Sequence, residues 1–456
     1  MNYRETLKGK KVLVVGLGKS GKAAVEALVE LGAYVSGQDN SPADKLNTQL
    51  IRFMENNHIN MYLGCMPDDM ASFDMLVLSP GVPPTLDFIE AARKAGVEII
   101  GELELAYRIT EGKYVAITGT NGKTTTTTLV GEIFAASGRR TAVVGNIGNP
   151  VVTEAIDSSE DEWMVAEVSS FQLETTREFH PVVSAILNLT PDHLNRHKTM
   201  EAYGAAKAAV FANQTAEDYL VINYDDKTCM ALADDCKARI VPFSRLEKPD
   251  FGAYLDGDEL VINNGTEVLH ICDKHELRII GNHNIENALA SAAVSYFAGI
   301  DINVIRETIV NFAGVEHRIE FCGELDGALY DNDSKGTNVD AAVIAIKALE
   351  NNIILIAGGD GKSQDFTDLA EHLNGAVKAL VLLGRDARII EEAARKAGFT
   401  AIYNEKNMTD VVARCHKIAE KGDKVLLSPA CASWDMYANY EQRGNHFKKC
   451  VEDLLR

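Results

Sequence analysis

One unit occurs three times along this chain and constrains its fold more than any other feature: a short β-branched run, a glycine-rich turn, then a helical stretch. It reads VLVVGLGKSG at 12–21, YVAITGTNGKTT at 114–125 and IILIAGGDGKS at 353–363. Unbroken apolar runs of this length, each followed by a helix, suit parallel strands buried on both faces, because a strand with one wet face would alternate. Further runs fit the scheme at 75–81, 163–170, 182–189, 377–384 and 424–430, and helices are expected over 20–31, 123–137, 337–349 and 385–396. The segment 251–280 has a different texture. Its alternation and turn residues predict antiparallel hairpins inserted beside the parallel sheet.

The expected fold class is therefore α/β, with three domains in series. An N-terminal Rossmann-like domain spans 1–105. A central P-loop-type domain, a mostly parallel sheet with an antiparallel β insertion, spans 106–314. A C-terminal Rossmann-like α/β domain spans 315–456. The chain's 456 residues agree with three domains at about 150 residues each. The boundaries fall near 102–112 and 313–318, and neither linker is rich in Pro or Ser.

The net charge of −21 excludes a protein built to coat nucleic acid or an anionic membrane, since both need a basic footprint. Small anionic ligands stay open, because a few local donors hold them. The eight cysteines are scattered and form no C-x-x-C pair, which fits neither a disulfide framework nor a zinc pattern. The first apolar run is short, broken by glycine and followed at once by Lys19, so it does not read as a signal peptide. No stretch approaches the roughly 18 apolar residues of a membrane span. A cytoplasmic chain without nucleic-acid or membrane partners is expected.

The three loops differ in what they can bind. Gly16-Leu-Gly18-Lys19-Ser20-Gly21 satisfies G-x-G-x-x-G, with Asp39 ending the next strand. Glycines there let backbone approach a pyrophosphate, and the helix N-terminus favours its charge. A dinucleotide such as NAD is the direct reading, a nucleotide-sugar diphosphate shares the same pyrophosphate, and a bland glycine turn is the third option. Gly119-Thr120-Asn121-Gly122-Lys123-Thr124-Thr125 carries more information, because it follows an apolar strand and opens a helix. Its amides can cradle phosphates, Lys123 can reach the β/γ oxygens, and the Thr124 hydroxyl can hold Mg²⁺. The loop is two residues shorter than the ordinary phosphate loop, and Ile117 stands where the usual first glycine would be. The third loop, Gly358–Ser363, places Lys362 at a strand C-terminus, either as a ligand cation or as a solvated lysine.

Glu167 and His193 also lie at predicted strand ends beside the central loop, where a carboxylate and an imidazole could meet a metal. A loop histidine with no role remains the plainer reading of His193. Lys207 sits among alanines on a helix, as a snorkelling lysine or as one placed near metal and modified. In the last third, Lys335, Thr337, Lys362 and Ser433 could together grip a small dicarboxylate.

Taken together, the chain resembles the ATP-dependent Mur ligases, in the branch that adds glutamate. The motifs are GTNGKTT (119–125), AEVSSFQLE (166–174), LTPDHLNRH (189–197), GNHNIENALA (281–290), EHRIE (316–320), NDSKGTN (332–338) and SPACASWDMYANYEQRG (428–444), which span all three expected domains. The resemblance implies amide formation in peptidoglycan precursor synthesis: ATP activates UDP-N-acetylmuramoyl-L-alanine as an acyl phosphate, and D-glutamate attacks it. It implies two Mg²⁺ sites, with Thr124 and Glu167 at one, and His193 and a carbamylated Lys207 at the other. It implies ATP contacts from Gly119 to Thr125 and from Asn287, Arg318 and Asp333. UDP-substrate contacts fall on Gly18, Lys19, Ser20, Asp39, Ser79, Gly81, Asn146 and Ser169, and D-glutamate contacts on Lys335, Thr337, Lys362, Ser433 and Tyr440. A monomer acting on small molecules is expected. The rivals are a folylpolyglutamate synthase-like ligase, an NAD-dependent dehydrogenase and a non-catalytic ATP-binding switch.

Overall fold

The computed structural model describes residues 3–455. Three sheets organise them. The first contains β1 (Lys11–Val15), β2 (Tyr34–Asp39), β3 (Asn60–Leu63), β4 (Met75–Leu78) and β5 (Glu98–Gly101), in the order β3-β2-β1-β4-β5. All its pairings are parallel, and the order reverses at β1, so the Gly16–Gly21 loop leaves the sheet at a switch point. Val12–Val15 and Leu76–Leu78 are buried on both faces, as their unbroken apolar runs require.

The second sheet contains β6 (Lys113–Thr118), β7 (Arg140–Gly145), β8 (Glu162–Glu167), β9 (Val183–Ile186), β10 (Tyr219–Asn223), β11 (Arg239–Ser244), β12 (Gly252–Asp256), β13 (Glu259–Asn263) and β14 (Val268–Asp273). Their order is β14-β13-β12-β11-β10-β9-β6-β8-β7. The two hairpins of the 251–280 segment are antiparallel, as their alternation predicts. They continue the sheet instead of standing beside it, because β12 pairs in parallel with β11 through Phe243↔Ala253 and Ser244↔Tyr254. That pairing covers the open edge of β11.

The third sheet contains β15 (Glu320–Leu325), β16 (Ala328–Asn332), β17 (Ile353–Ala357), β18 (Val377–Leu382), β19 (Ile402–Asn404) and β20 (Lys424–Leu427), in the order β15-β16-β20-β17-β18-β19. Only β15 runs antiparallel to its neighbour. The chain divides into two compact units. One comprises the residues up to Lys274 with Asn287–Val310 and holds the first two sheets; the other comprises His275–Glu286 with the residues from Asn311 onward.

The apolar runs stop being strand earlier than their composition implies. The run 163–170 ends as strand at Glu167, and Ser169 then caps the helix Ser170–Leu173 through a reciprocal pair with Gln172. The helix expected over 337–349 begins at Val339, because the Asn338 side chain accepts from the Ala341 amide and fixes the start. No described helix is long and apolar enough to cross a membrane.

Candidate active site

Strand order explains which loops meet. In the second sheet β9, β6 and β8 are neighbours, so the segments after Ile186, Thr118 and Glu167 emerge side by side at the C-terminal edge. That edge is where open α/β sheets bind ligands. Between β6 and the helix Lys123–Ala136, Gly119 has φ +149° and Gly122 has φ +82°. A side chain on Gly122 would also collide with Asn287 Oδ1, so glycine is required there by both conformation and space.

The loop is braced from β9. Asn188 Oδ1 accepts from the amides of Thr120 at 3.0 Å and Asn121 at 2.8 Å, while Asn188 Nδ2 donates to Asn121 O at 3.1 Å. Thr120 Oγ1 donates to Thr190 O and accepts from its amide, both at 3.1 Å. Two lysine side chains converge on one carbonyl: Lys123 Nζ donates to Gly119 O at 2.9 Å, and Lys207 Nζ donates to the same oxygen at 2.7 Å. Thr124 and Thr125 are buried behind them.

Lys207 is almost wholly buried on the helix Met200–Ala208 and lies 4.6 Å from the Tyr203 ring centroid. Burial pushes its pKa well below the usual lysine value, and the Lys123 charge pushes the same way, while Asp192 and Glu167 oppose them. Glu167 is 1% exposed. Its Oε1 accepts from Asn146 Nδ2 at 2.7 Å, and its Oε2 has no partner. A buried carboxylate oxygen left over is unusual and marks a place where a cation fits. His193 has φ +54° at the start of the short helix Leu194–His197, and its ring lies 4.8 Å from that of Phe171. Among the described residues no three His, Cys, Asp or Glu side chains gather as a ready-made metal cluster.

At the first sheet, Ser79 Oγ donates to Gly16 O at 2.7 Å, and Lys19 Nζ donates to Gly148 O at 2.6 Å. Gly18 caps the helix Lys19–Glu30, which holds Ser20 in its first turn, and nothing lies within 4 Å of a side chain built on Gly18 or Gly81. The Asp39 carboxylate receives the amides of Leu17 and Ser41, both at 2.8 Å, so it shapes the glycine loop from within.

In the second unit, β16, β20 and β17 are neighbours, which brings the segments 333–338, 428–437 and 358–363 together. Asp360 and Ala432 exchange backbone hydrogen bonds at 2.9 and 2.8 Å. Arg443 is buried and donates to Ser334 Oγ at 3.0 Å, Ser334 O at 2.8 Å and Cys431 O at 3.0 Å; burial lowers its pKa to about 10. Asp333 Oδ2 accepts from Ser428 Oγ at 2.7 Å, and burial raises this carboxyl to about 6. Lys335 Nζ lies 5.3 Å from the Tyr440 ring centroid, and Lys362 Nζ lies 5.3 Å from that of Trp434. Ser433 is buried, and the Thr337 amide donates to Lys335 O at 2.9 Å. Asn287 belongs to the first unit; Arg318 and Asp333 belong to the second.

Sequence reasoning passed over Asn188, Asp192, Arg196 and Arg443. All four lie inside or beside quoted motifs, but Asn188, Arg196 and Arg443 work through side-chain contact with backbone far away in sequence, while Asp192 accepts from the adjacent His193 amide. Residue type and spacing do not encode these contacts.

A glycine loop with two lysines on its carbonyl, at the edge of a doubly wound sheet, defines a phosphate-loop nucleotide-binding α/β protein. Three domain models match the chain: Mur ligase MurD-like N-terminal domain over 10–101, Mur ligase middle domain over 117–295, and Mur ligase glutamate ligase domain over 317–431. The chain is 48% identical to UDP-N-acetylmuramoylalanine–D-glutamate ligase of Clostridioides difficile, covering 98% of this chain and 99% of that one. It is 46% identical to the ligase of the same name from Alkaliphilus metalliredigens, over 99% of each. Among solved structures, MurF from Acinetobacter baumannii matches with TM-score 0.60 and 16% identity, covering 100% of this chain and 92% of that one. MurF from Thermotoga maritima in complex with ADP matches with TM-score 0.59 and 16% identity, over 99% and 97%. These two likenesses show the shared fold. The chain belongs to the Mur ligase family.

Proposed function

We propose that this chain joins D-glutamate to UDP-N-acetylmuramoyl-L-alanine at the expense of ATP, in the synthesis of the peptidoglycan precursor. The observation that carries the chemistry is the phosphate loop with Lys123 and Lys207 on the Gly119 carbonyl, beside the unpartnered oxygen of Glu167. A carboxylate is a poor electrophile. An oxygen of the alanyl carboxylate therefore attacks the γ-phosphorus and ADP leaves; the D-glutamate nitrogen then attacks the acyl carbon, phosphate leaves and the nitrogen sheds its proton. Little of this needs covalent help from the protein, so catalysis is positioning and charge neutralisation.

Lys123 and the amides of Gly119–Thr125 are assigned to the triphosphate, with Asn287, Arg318 and Asp333 on the nucleotide side. Thr124 and Glu167 would hold one Mg²⁺, and His193 with Lys207 a second. Mg²⁺, when bound, would neutralise charge on the phosphate oxygens and fix their orientation. The Thr124 hydroxyl and the unpartnered Glu167 oxygen are donors of the kind it favours, whereas His193 would add a ring nitrogen. Lys207 fits only as a carbamate: its nitrogen lone pair bonds the carbon of CO₂, a proton is released, and the cation becomes an anionic oxygen donor. A buried lysine with a depressed pKa supplies the neutral amine that this needs.

Gly18, Lys19, Ser20, Asp39, Ser79 and Gly81 are assigned to the uridine-diphosphate side, Asn146 and Ser169 to the sugar–peptide side, and Lys335, Thr337, Lys362, Ser433 and Tyr440 to D-glutamate. We place the domains at 1–105, 106–314 and 315–456, and take the working species to be a cytoplasmic monomer with small-molecule partners. The test is phosphate release with ATP, Mg²⁺ and UDP-N-acetylmuramoyl-L-alanine. Release should depend on D-glutamate and stay at background with L-glutamate or L-lysine; release that ignores the amino acid would overturn the reading.

A further inference from the structure

Arg196 lies three residues after His193, on the four-residue helix that His193 caps, and none of the assignments above uses it. We propose that Arg196 is a positioning residue: it pins the Ser79–Val82 turn of the first domain to the His193 loop, setting the UDP-linked substrate in register with the phosphate loop. The inference rests on the assignment of that turn to the UDP substrate.

The contacts engage four of the five N–H donors of the guanidinium. Nη1 donates to Pro80 O at 2.8 Å and Nη2 reaches Val82 O at 3.4 Å. Nε donates to Glu174 Oε2 at 3.1 Å and Nη2 donates to the same oxygen, while the guanidinium carbon sits 4.1 Å from the Phe171 ring centroid. Five N–H donors in a rigid plane suit this double task, which one ammonium could do only in part.

Both ends of the clamp are tied to machinery. On one side the Val82 amide donates to Ser79 O at 2.9 Å, closing the turn, and Ser79 Oγ joins it to the Gly16 loop. On the other, the Arg196 amide donates to His193 O at 3.0 Å, so the two residues share one helical turn. Glu174 also meets His197 Nδ1 at 3.3 Å, and His197 Nε2 pairs with Ser170 Oγ at 2.9 Å. The segment after β8, the segment after β9 and the turn after β4 are thereby joined through one guanidinium. Loss of Arg196 frees the Pro80 and Val82 carbonyls while leaving the phosphate loop's own bracing by Asn188 intact.

The experiment uses the full chain with Arg196→Ala and Arg196→Lys. Steady-state kinetics give a KM for each substrate, and hydrogen exchange of the ligand-free protein reports on the amides of Gly81, Val82, Thr85 and Leu86. Arg196→Ala should raise the KM for UDP-N-acetylmuramoyl-L-alanine about tenfold, with the KM values for ATP and D-glutamate within about twofold of wild type. Exchange around residues 81–86 should quicken while exchange in the helix Lys123–Ala136 holds. Arg196→Lys should fall between, and it carries the test alone if the alanine variant does not fold. Equal rises in all three KM values, or unchanged exchange at the turn, would overturn the proposal. Absent turnover in wild type would overturn the ligase reading and this inference together; intact wild-type turnover with an unmoved KM ratio overturns this inference alone.

Discussion

Lys207, on the helix Met200–Ala208, and Lys362, in the loop after β17, are both lysines assigned to ligands, and their surroundings give them opposite characters. Lys207 is sealed in and stripped of its charge preference, whereas Lys362 stands over an exposed Trp434 ring with its ammonium within reach of solvent. If Lys207 works as a carbamate, Lys207→Ala removes an anionic oxygen donor and should lower kcat on the order of 100-fold or more. Acetate or formate diffusing into the space should restore part of it, measured as phosphate release against carboxylate concentration; a fully active variant would refute the carbamate. Lys362 is assigned a substrate carboxylate instead. Lys362→Ala should raise the KM for D-glutamate by about tenfold or more and leave that for ATP nearly unchanged, and equal shifts would count against the grip.

Among the elements, the helix Glu102–Ile109 shows what a buried cap costs. Glu102 Oε1 accepts the Val152 amide at 2.8 Å at the start of the helix Val151–Ala155, Oε2 has no partner, and burial raises the carboxyl from 4.5 to about 7. Between those values the native chain keeps a proton that the unfolded chain releases. Stability from this group is therefore greatest at low pH, falls as pH rises through the window, and stays low above it. Glu102→Gln keeps the acceptor and is neutral throughout, so it should gain on the order of 2 kcal/mol relative to wild type between pH 5 and pH 8. Thermal unfolding of both proteins at the two pH values measures this, and an equal difference at both would refute it. Elements of this kind were only partly legible in sequence. The phosphate loop was legible because φ +82° and a close neighbour leave only glycine at position 122, a demand written in residue type. Strand β7 was not, since RTAVVG is mostly half-buried and its run is correspondingly weak. Nor were the braces from Asn188 and Arg443, whose partners stand 67 and 109 residues away. Strand order brings those groups together, and strand order follows from pairings that no local pattern records.

At the scale of the whole molecule, a chain of charge −21 is assigned three anionic substrates. The far field of such a protein repels them, and attraction comes from groups acting at hydrogen-bond range: Lys123, helix N-termini, and the lysines of the C-terminal loops. The two ranges respond differently to salt. The Debye length is about 30 Å at 0.01 M and about 10 Å at 0.1 M, so moderate salt removes the far field while close contacts survive. Raising neutral monovalent salt from about 10 mM to about 100 mM, with free Mg²⁺ held constant, should therefore lower the KM for UDP-N-acetylmuramoyl-L-alanine, by about twofold. Toward 1 M, where the Debye length is about 3 Å, the direct contacts weaken and the KM should rise again. A basic-footprint protein would lose affinity from the lowest salt onward. A KM that climbs steadily from 10 mM would mean that long-range attraction guides the substrate and that the net charge misdescribes the field over the site. The same titration with NAD(H) in place of the UDP substrate should show no saturable binding at any salt. Saturable NAD(H) binding would return the Gly16–Gly21 loop to the dehydrogenase reading.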